Sequence, residues 1–234
     1  MKAKKRVLAL IILLVVVVTV HAQRIKNSSR YFHTPSKVGL VIIPQIGYYG
    51  RNGASGLGLV GGLISATTKP SGGKYQAALD AVEPIINPEL KVQEFYKELL
   101  SGFGKSVTVI TDKIDFATLA DFKGVKEKGK KYFEKDVSVL KEKYQVDELL
   151  IVNVYYGVRS IYSYGVVEQN RRGVMLLQTD IISLQDNSIV VNDGSAYWAK
   201  IDGKWDTPPN YENLKKSIQS AVDSGLATEK SKYK

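Results

Sequence analysis

Apolar residues follow two different spacings along this chain, and each change of spacing predicts a change of secondary structure. Short runs rich in β-branched residues predict two buried strands, Lys37 to Pro44 and Ser106 to Thr111. Three longer runs have no helical pattern between them and therefore predict an antiparallel meander. These runs are Asp147 to Val158, Gly173 to Leu184 and Ile189 to Lys200.

Apolar side chains at three- and four-residue spacing predict the helices. Asn87 has the character of an N-cap, Pro88 fits the first turn, and Gly104 follows an apolar stripe, so a helix is expected between them. A later stripe ends before Gly225, which we expect to be the C-cap of a closing helix. The other segments predicted as helical are Tyr75 to Val82, Ala117 to Phe122, Lys128 to Tyr144 and, for the closing helix, Tyr211 to Ser224.

The order of these elements defines the expected fold class. Strands and helices alternate first, and three consecutive strands with one helix follow, which is typical of an α/β (α+β) domain. We predict a mixed sheet with helices packed on it, a C-terminal antiparallel three-strand meander and a closing helix. The expected single domain spans residues 37–225, with a flexible arm at 23–36 before it and a polar tail at 226–234 after it.

Residues 1–22 have the layout of a secretory signal peptide. Lys2 to Arg6 form a basic start, an apolar run extends from Val7 to Val20, and Val20-His21-Ala22 fits a cleavage site. The run has 14 residues, whereas a helix that spans a bilayer needs about 20. Cleavage after Ala22 is therefore favoured over retention as an N-terminal anchor, and we expect an exported protein of the periplasm or cell envelope.

The composition limits the kinds of site that the chain can hold. It contains no cysteine, so disulfides, thiol nucleophiles and a lipid-carrying cysteine are excluded. The net charge is +10, but four basic and no acidic residues lie in residues 1–22, which leaves 29 − 23 = +6 for the remainder. The basic cluster from Lys123 to Lys131 resembles a solvated helix face, and we predict no nucleic-acid binding because exposed aromatic residues are not interleaved with it.

A glycine-rich stretch contains the pattern G-x-G-x-x-G at Gly56, Gly58 and Gly61. In a dinucleotide-binding fold the first glycine directly follows a strand, so that the next helix points its N-terminus at the pyrophosphate. Here 11 residues separate Pro44 from Gly56, and the sequence after Gly61 reads as a loop. We therefore predict no nucleotide and no other cofactor at this stretch.

The same stretch places a small residue at every fourth position, which would form one smooth stripe on a helix. Gly58, Gly62 and Ala66 in this stripe are predicted interaction residues for close packing against a protein partner or a second copy. A flexible exposed loop is the alternative, because glycine disfavours helices in water. A third alternative is peripheral contact with a membrane through Leu57 to Ile64.

Motifs for catalysis are scarce. Outside residues 1–22 the chain has one histidine, His33, so neither a histidine metal site nor a Ser-His-Asp triad is indicated. Asp112 and Asp115 follow a predicted strand, where α/β folds often place ligands, and they support the alternative of a periplasmic small-ligand binder or hydrolase. Asp180 is expected to face solvent or to pair with a basic residue across the sheet. We predict no catalytic or metal-binding residues and hence no enzyme.

Aromatic residues concentrate in the segment YYGVRSIYSYG, which begins at Tyr155. Exposed tyrosine beside arginine is typical of a protein contact surface, so Tyr162, Tyr164 and Arg159 are predicted interaction residues. The alternative is that the tyrosines are ordinary strand residues, half buried with the hydroxyl group in water. The hairpin tip from Ser160 to Arg172 is where we expect a partner.

Several of these features together resemble a group of bacterial envelope proteins. They are the signal-peptide pattern that indicates export, the strand KVGLVIIP, the helix ending at Gly104, the strand SVTVIT, and the segment VDELLIVNVYYGV before a β-meander. The group includes the curli secretion channel lipoprotein and the N-terminal domain of the Tol-system translocation protein. The resemblance lies in the order of elements over residues 37–224. It implies a layered α/β domain that builds rings or complexes, and it implies no catalytic residues.

The function predicted from the sequence is therefore that of an exported, non-enzymatic bacterial envelope protein. It would act through protein contacts or self-assembly. The chain departs from the resembled lipoproteins in lacking their lipid-carrying cysteine, and it has no pair of long alternating hairpins of the kind that line a membrane pore.

Overall fold

The computed structural model describes residues 34–49, 75–163 and 167–233 of the chain. The strands are β1 (Lys37–Tyr49), β2 (Ser106–Val109), β3 (Glu148–Ser163), β4 (Val167–Ser183) and β5 (Ile189–Lys200). The α-helices are α1 (Gln76–Val82), α2 (Pro88–Gly102), α3 (Leu140–Tyr144) and α4 (Glu212–Lys232). A short 3₁₀ helix spans Phe116–Thr118.

The five strands form one mixed sheet in the order β2-β1-β3-β4-β5. β1 pairs in parallel with β2 and with β3, while β3, β4 and β5 form an antiparallel meander. The predicted fold class is confirmed, because the alternating half of the sequence supplies the parallel strands and the consecutive strands supply the meander. We use "distal" for the end of the sheet at which β1, β3 and β5 finish.

Most helical packing lies on one face of the sheet, which we call the helical face. Leu40, Leu150 and Met175 project from neighbouring strands into a core that includes Val92 of α2 and Val222 of α4. At the distal end, α1 and the start of α4 extend this layer over the later residues of β3. The alternation of residues along each strand places every second side chain in this core.

The approach of α4 to the sheet depends on a glycine. A Cβ atom at Gly173 would lie 2.4 Å from the backbone carbon of Ser217. The Gly173 amide also donates to Ser217 Oγ at 2.8 Å, and Ser217 Oγ donates to the carbonyl oxygen of Ala199 at 2.8 Å. This contact fixes the position of the first turns of α4 against β4 and β5.

The other face, which we call the second face, is covered at the end opposite to the distal end. The irregular segment 110–146 packs there, and its Ile110, Val137 and Leu140 join Leu149 and Ile182 of the sheet in a buried cluster. Asn187 ties this segment to the sheet by donating hydrogen bonds from Nδ2 to the carbonyl oxygens of residues 133 and 135, both at 2.9 Å.

The helix predicted at Lys128 to Tyr144 is wrong except for its last turn, because only Leu140–Tyr144 is helical. Gly129 has a φ of +88°, which a helix does not tolerate. Tyr132 instead forms an isolated bridge to Ser188. The apolar spacing that predicted a helix belongs to an extended chain that packs on the sheet.

The predicted C-cap at Gly225 is also wrong, because α4 continues to Lys232 through residues expected to be a polar tail. Gly225 faces the sheet, where a Cβ atom would lie 2.4 Å from Met175 Cε. The end of the predicted flexible arm is likewise fixed, since buried Lys105 donates to the Thr34 carbonyl oxygen at 3.0 Å and to Ser36 Oγ at 2.8 Å.

Candidate interaction surface

The outer strand β5 carries the most exposed part of the second face. Exposed and less exposed residues alternate along its distal half. Trp198 is 48% exposed and Val190, near the other end of the strand, is 41% exposed. We call the exposed residues of this strand the β5 surface: Val190, Gly194, Ala196, Trp198 and Lys200.

Trp198 at the distal end of the β5 surface lies beneath an arginine from another strand. The guanidinium carbon of Arg159 in β3 is 5.5 Å from the centre of the Trp198 ring. β4 lies between these two strands, and its Val174 is directly opposite Gly157 of β3 and Trp198 of β5 in the sheet register. A cation–π contact at an exposed site contributes about 0.5–1 kcal/mol, so the pair favours this position of the indole ring by a factor of roughly 2 to 5.

An apolar cluster of β3 and β4 lies beside this pair. Tyr155, Val174 and Leu176 are 4%, 0% and 6% exposed. In the described ranges, the hydrophobic contacts of the four α-helices belong to the clusters on the helical face and at the opposite end of the second face.

A buried polar pair separates this apolar cluster from the covered end of the second face. Asn192 in β5 donates to Asp180 Oδ1 in β4 at 2.5 Å. Burial raises the pKa of the Asp180 carboxyl group above its ordinary value, against the smaller lowering effect of the Asn192 hydrogen bond. Asp180 is only 7% exposed, so the expectation that it faces solvent or pairs with a basic residue across the sheet is wrong.

Of the predicted interaction residues, the structure places Arg159 at the edge of the β5 surface. Tyr162 lies in β3, opposite Glu168 of β4. Gly58, Gly62, Ala66 and Tyr164 lie outside the described residues. Their roles as interaction residues stay predictions.

The first two tyrosines of the aromatic segment are strand residues, as the alternative interpretation expected, but they are buried and not half buried. Tyr155 and Tyr156 are each 4% exposed, and burial raises the pKa of each phenol to about 12. They are core residues of β3. Trp198 was not among the interaction residues predicted from the sequence. The alternation along β5 nevertheless places its side chain on the same face as Gly194, Ala196 and Lys200, and the side chain of Tyr197 on the other face.

The carboxylates of the small-ligand alternative have local structural partners. Asp112 accepts a hydrogen bond from the Tyr144 hydroxyl at 2.9 Å and pairs with Lys143 Nζ at 3.2 Å. Both contacts lower the pKa of the Asp112 carboxyl group, and the hydrogen bond from Tyr144 has the larger effect. Asp115 caps the 3₁₀ helix by accepting from the Ala117 amide at 3.1 Å. Within the described ranges, no three acidic or histidine side chains are grouped so that they could hold a metal ion.

Comparisons with known proteins find only weak structural similarity. No protein-family model and no curated protein matches the chain. Among solved structures, lipoprotein GNA1162 from Neisseria meningitidis is 12% identical, covers 83% of this chain and 99% of its own, and gives a TM-score of 0.33. A hypothetical protein from Chlamydia trachomatis is 8% identical over 83% of this chain and 95% of its own, with a TM-score of 0.36.

PelC from Paraburkholderia phytofirmans, whose crystal structure is a dodecamer, is 10% identical over 82% of this chain and 86% of its own, with a TM-score of 0.30. At these identities and scores, no residue role, ligand or assembly passes from those proteins to this chain. In the described part of the chain, none of the helices has both the length and the apolar character needed to cross a bilayer.

Proposed function

We propose that this chain is an exported, non-enzymatic protein of a bacterial envelope that works by self-association, with the β5 surface as the contact between copies. The observation that carries the proposal is the combination on one outer strand of an edge that is open beyond Ile189 and two large exposed apolar side chains, Val190 and Trp198. The exported location rests on the signal-peptide pattern of residues 1–22.

The open edge supplies the first part of the argument. β5 is the last strand of the sheet in the described residues, so one row of its backbone groups faces outward. At the start of the strand the Ile189 amide donates to the Lys131 carbonyl oxygen at 2.8 Å, and within the described residues the edge is open beyond that point. It is 12 residues long, contains no proline and carries a single charged residue before Lys200, namely Asp193. Proteins usually protect a long edge strand with prolines, charges, β-bulges or a covering element, because an unprotected one pairs with another strand. β5 has one bulge, at Val190, and none between Val191 and Lys200.

The arrangement of side chains along β5 supplies the second part. Val190 lies near the start of the strand and Trp198 near its end. In a two-fold antiparallel pair of β5 strands, the end of one copy meets the start of the other, so each Trp198 would lie close to the partner copy's valine. Such self-complementarity is what an interface between identical subunits requires.

The chemistry of the distal pair supplies the third part. Tryptophan and arginine are enriched among the residues that contribute most to protein–protein binding. Arg159 favours the observed position of the Trp198 ring, which reduces the rotamer freedom that is lost when a second copy covers it.

Sedimentation velocity over a range of protein concentrations tests this proposal. We expect the parent to form a dimer or a larger symmetric oligomer, and Trp198→Lys to weaken it roughly 30-fold, which corresponds to about 2 kcal/mol. Val190→Lys should weaken it roughly tenfold. Leu90→Lys is the matched control, because Leu90 is 61% exposed on α2, away from the strand.

Two outcomes would contradict self-association through β5. One is a parent that stays monomeric at every concentration. The other is an oligomer that Leu90→Lys and Trp198→Lys weaken equally, since this would mean that added charge, rather than loss of the β5 contact, causes the effect.

A further inference from the structure

Three cationic side chains lie in one row across the sheet, at the distal end of the second face. In the sheet register, Arg159 of β3 is directly opposite Arg172 of β4, and Arg172 is directly opposite Lys200 of β5. Residues that are directly opposite each other in antiparallel strands project to the same face, with Cβ atoms about 4.5–5.5 Å apart. We call these three residues the cationic row.

Two contacts show which face of the sheet the cationic row occupies. The Arg159 guanidinium lies over the Trp198 ring, which belongs to the second face. Gly173, the residue after Arg172, faces α4, since a Cβ atom there would lie 2.4 Å from the backbone carbon of Ser217. Successive side chains of a strand point to opposite faces. Arg172 therefore points away from α4, and the row lies beside Trp198.

The two arginines of the cationic row have no compensating negative charge among the described residues. Within residues 34–49, 75–163 and 167–233, neither guanidinium pairs with a carboxylate or donates a hydrogen bond. Lys200 Nζ lies 3.5 Å from Asp202 Oδ1, but the two side chains are 84% and 87% exposed, so water screens this pair. Like charges that are directly opposite each other destabilise a sheet. An anion that lies between these charges would therefore stabilise the folded protein.

The two guanidinium groups are suited to bind such an anion. Arg159 contacts the Trp198 ring, and this contact leaves the N–H groups that point away from the ring for an acceptor. Arg159 and Arg172 are both partly buried, and partial burial strengthens the attraction between a charge and its counter-ion. The planar fork of N–H groups of each arginine matches two oxygen atoms of one acidic group.

We propose that the cationic row binds the phosphate group of an organic phosphate monoester. Such a phosphate carries a charge of about −1.5 to −2 at pH 7 and has three terminal oxygens, so it can accept from both arginine forks and attract Lys200 at the same time. Trp198 is 48% exposed beside the row and provides an apolar surface for the carbon part of the ligand. The site requires no second copy, because the three cations belong to one chain, so this proposal and the proposed self-association can fail independently.

Nuclear magnetic resonance of the ¹⁵N-labelled protein tests this site, because the chain has two tryptophans and each gives one indole N–H signal. Phenyl phosphate is the probe, and acetate and chloride are compared with it at constant ionic strength. We expect phenyl phosphate to move the Trp198 signal saturably, while the signal of Trp205, which packs on Tyr75, stays in place. No saturable Trp198 shift, or an equal shift with acetate or chloride, would overturn the proposal.

Substitutions in the cationic row separate specific binding from a general attraction of anions. Arg172→Gln should weaken phenyl phosphate binding roughly tenfold or more, as for loss of a charge-assisted hydrogen bond. Arg172→Lys keeps the charge without the fork and should bind with an intermediate affinity. Lys97→Gln, at an exposed position of α2, removes an equal charge and should leave binding unchanged. An equal loss of affinity in this control would contradict the proposal.

Thermal unfolding of Arg172→Gln gives a check that does not depend on binding. Because this variant removes one of three adjacent like charges, we expect it to unfold in phosphate-free buffer at the same temperature as the parent or at a higher one. A markedly lower unfolding temperature would mean that Arg172 stabilises the fold, and this would contradict its assignment to a binding site.

Two comparisons identify the source of the phosphate and test the independence of the site from a second copy. Cosedimentation with phosphatidylcholine vesicles that contain phosphatidic acid, but not with vesicles that lack it, would assign the monoester to a lipid headgroup, whereas binding of phenyl phosphate alone would assign it to a soluble ester. Val190→Lys, which should weaken self-association, should bind phenyl phosphate as the parent does. Loss of this binding in Val190→Lys would contradict a site within one chain.

Discussion

The Asn192 amide nitrogen donates a 2.5 Å hydrogen bond to Asp180 Oδ1 in the middle of the second face, while Asn192 Oδ1 is buried without a hydrogen-bond partner in the described structure. The Asp180 carboxyl group is therefore buried beside a side-chain amide whose nitrogen has a hydrogen-bond partner and whose oxygen has none. Since burial disfavours the charged form, this pair favours a protonated Asp180 more than water does.

We expect Asp180→Asn to stabilise the protein at neutral pH and to reduce the dependence of its stability on pH. The pKa of the Asp180 carboxyl group is higher in the folded protein than its ordinary value of 3.8. Its contribution to stability is thus complete below pH 3.8 and is lost as the pH rises through the folded pKa. An asparagine stays neutral, and its NH₂ group can donate to Asn192 Oδ1, for a gain of about 1 kcal/mol.

Urea unfolding at pH 4 and pH 7 measures this effect. The parent should lose more stability between the two pH values than the Asp180→Asn variant does. Glu94→Gln, at an exposed position of α2, controls for the removal of one negative charge. If the parent and Asp180→Asn lost the same amount of stability between pH 4 and pH 7, the buried carboxylate would not be the cause.

A buried carboxylate also anchors the last turn of α4. Glu229 is 2% exposed and accepts hydrogen bonds from the Tyr197 hydroxyl and, at 2.8 Å, from Lys232 Nζ. Tyr197→Phe removes one donor from this carboxylate and should lower the free energy of unfolding by about 1.5–3 kcal/mol.

The matched control for Tyr197→Phe is Tyr144→Phe, whose hydroxyl group donates to Asp112. Asp112 is 57% exposed, so water replaces the lost donor and we expect no measurable change in the free energy of unfolding. Urea unfolding of both variants gives the comparison. If the two variants lost similar amounts of unfolding free energy, the burial of Glu229 would not make the hydrogen bond from Tyr197 more stabilising than an exposed one.

The two helix glycines Gly225 and Gly102 should respond in opposite ways to alanine. Alanine is favoured over glycine within a helix by about 1 kcal/mol. At Gly225, however, the added Cβ atom would lie 2.4 Å from Met175 Cε and 2.7 Å from Tyr197 Cδ2. We expect Gly225→Ala to destabilise the protein by about 1–3 kcal/mol, because α4 must move away from the sheet.

At Gly102, the last residue of α2, nothing lies within 4 Å of the added Cβ atom. Gly102→Ala should therefore be neutral or slightly stabilising. Thermal unfolding of the two variants gives the comparison. A Gly225→Ala variant as stable as Gly102→Ala would indicate that α4 is packed less closely than the structure describes.

The sequence was most informative where one pattern had one structural solution. β5 was predicted with its observed limits, Ile189 to Lys200, because turn residues directly precede it. Asn87 was predicted as an N-cap, and its Oδ1 accepts a hydrogen bond from the Glu89 amide at 3.0 Å. Such local interactions are complete within a few residues of the chain.

Prediction failed where long-range contacts decide the conformation. The spacing of Phe133 and Val137 fits a helix, but Asn187, about 50 residues later, binds the backbone of this segment in an extended form. Gly225 was read as a helix end because glycine is common there, whereas its role is contact with Met175 and Tyr197 from the sheet. Neither partner is recognisable before the strands are assembled.

The candidate site was predictable only in part for the same reason. Arg159 was named from its neighbouring tyrosines, yet its contact is with Trp198, two strands away in the sheet. The cationic row also requires β3, β4 and β5 to come together in register. Proximity in sequence identified the region and not the contacts.

Crosslinking between single cysteines tests self-association through β5 most directly, because the natural chain contains no cysteine. Gly194→Cys places a thiol at an exposed position in the middle of the strand, where a Cβ atom would come no closer than 4.0 Å to its nearest neighbour, and Leu90→Cys places one on α2 as the control. In the antiparallel pair of β5 strands that sets Trp198 opposite Val190 of the other copy, position 194 lies opposite itself, so the two Cys side chains would be near neighbours. We expect a short bismaleimide to convert Gly194→Cys, but not Leu90→Cys, to a covalent dimer at low protein concentration; equal yields for the two variants, or no dimer from Gly194→Cys, would contradict the proposed contact.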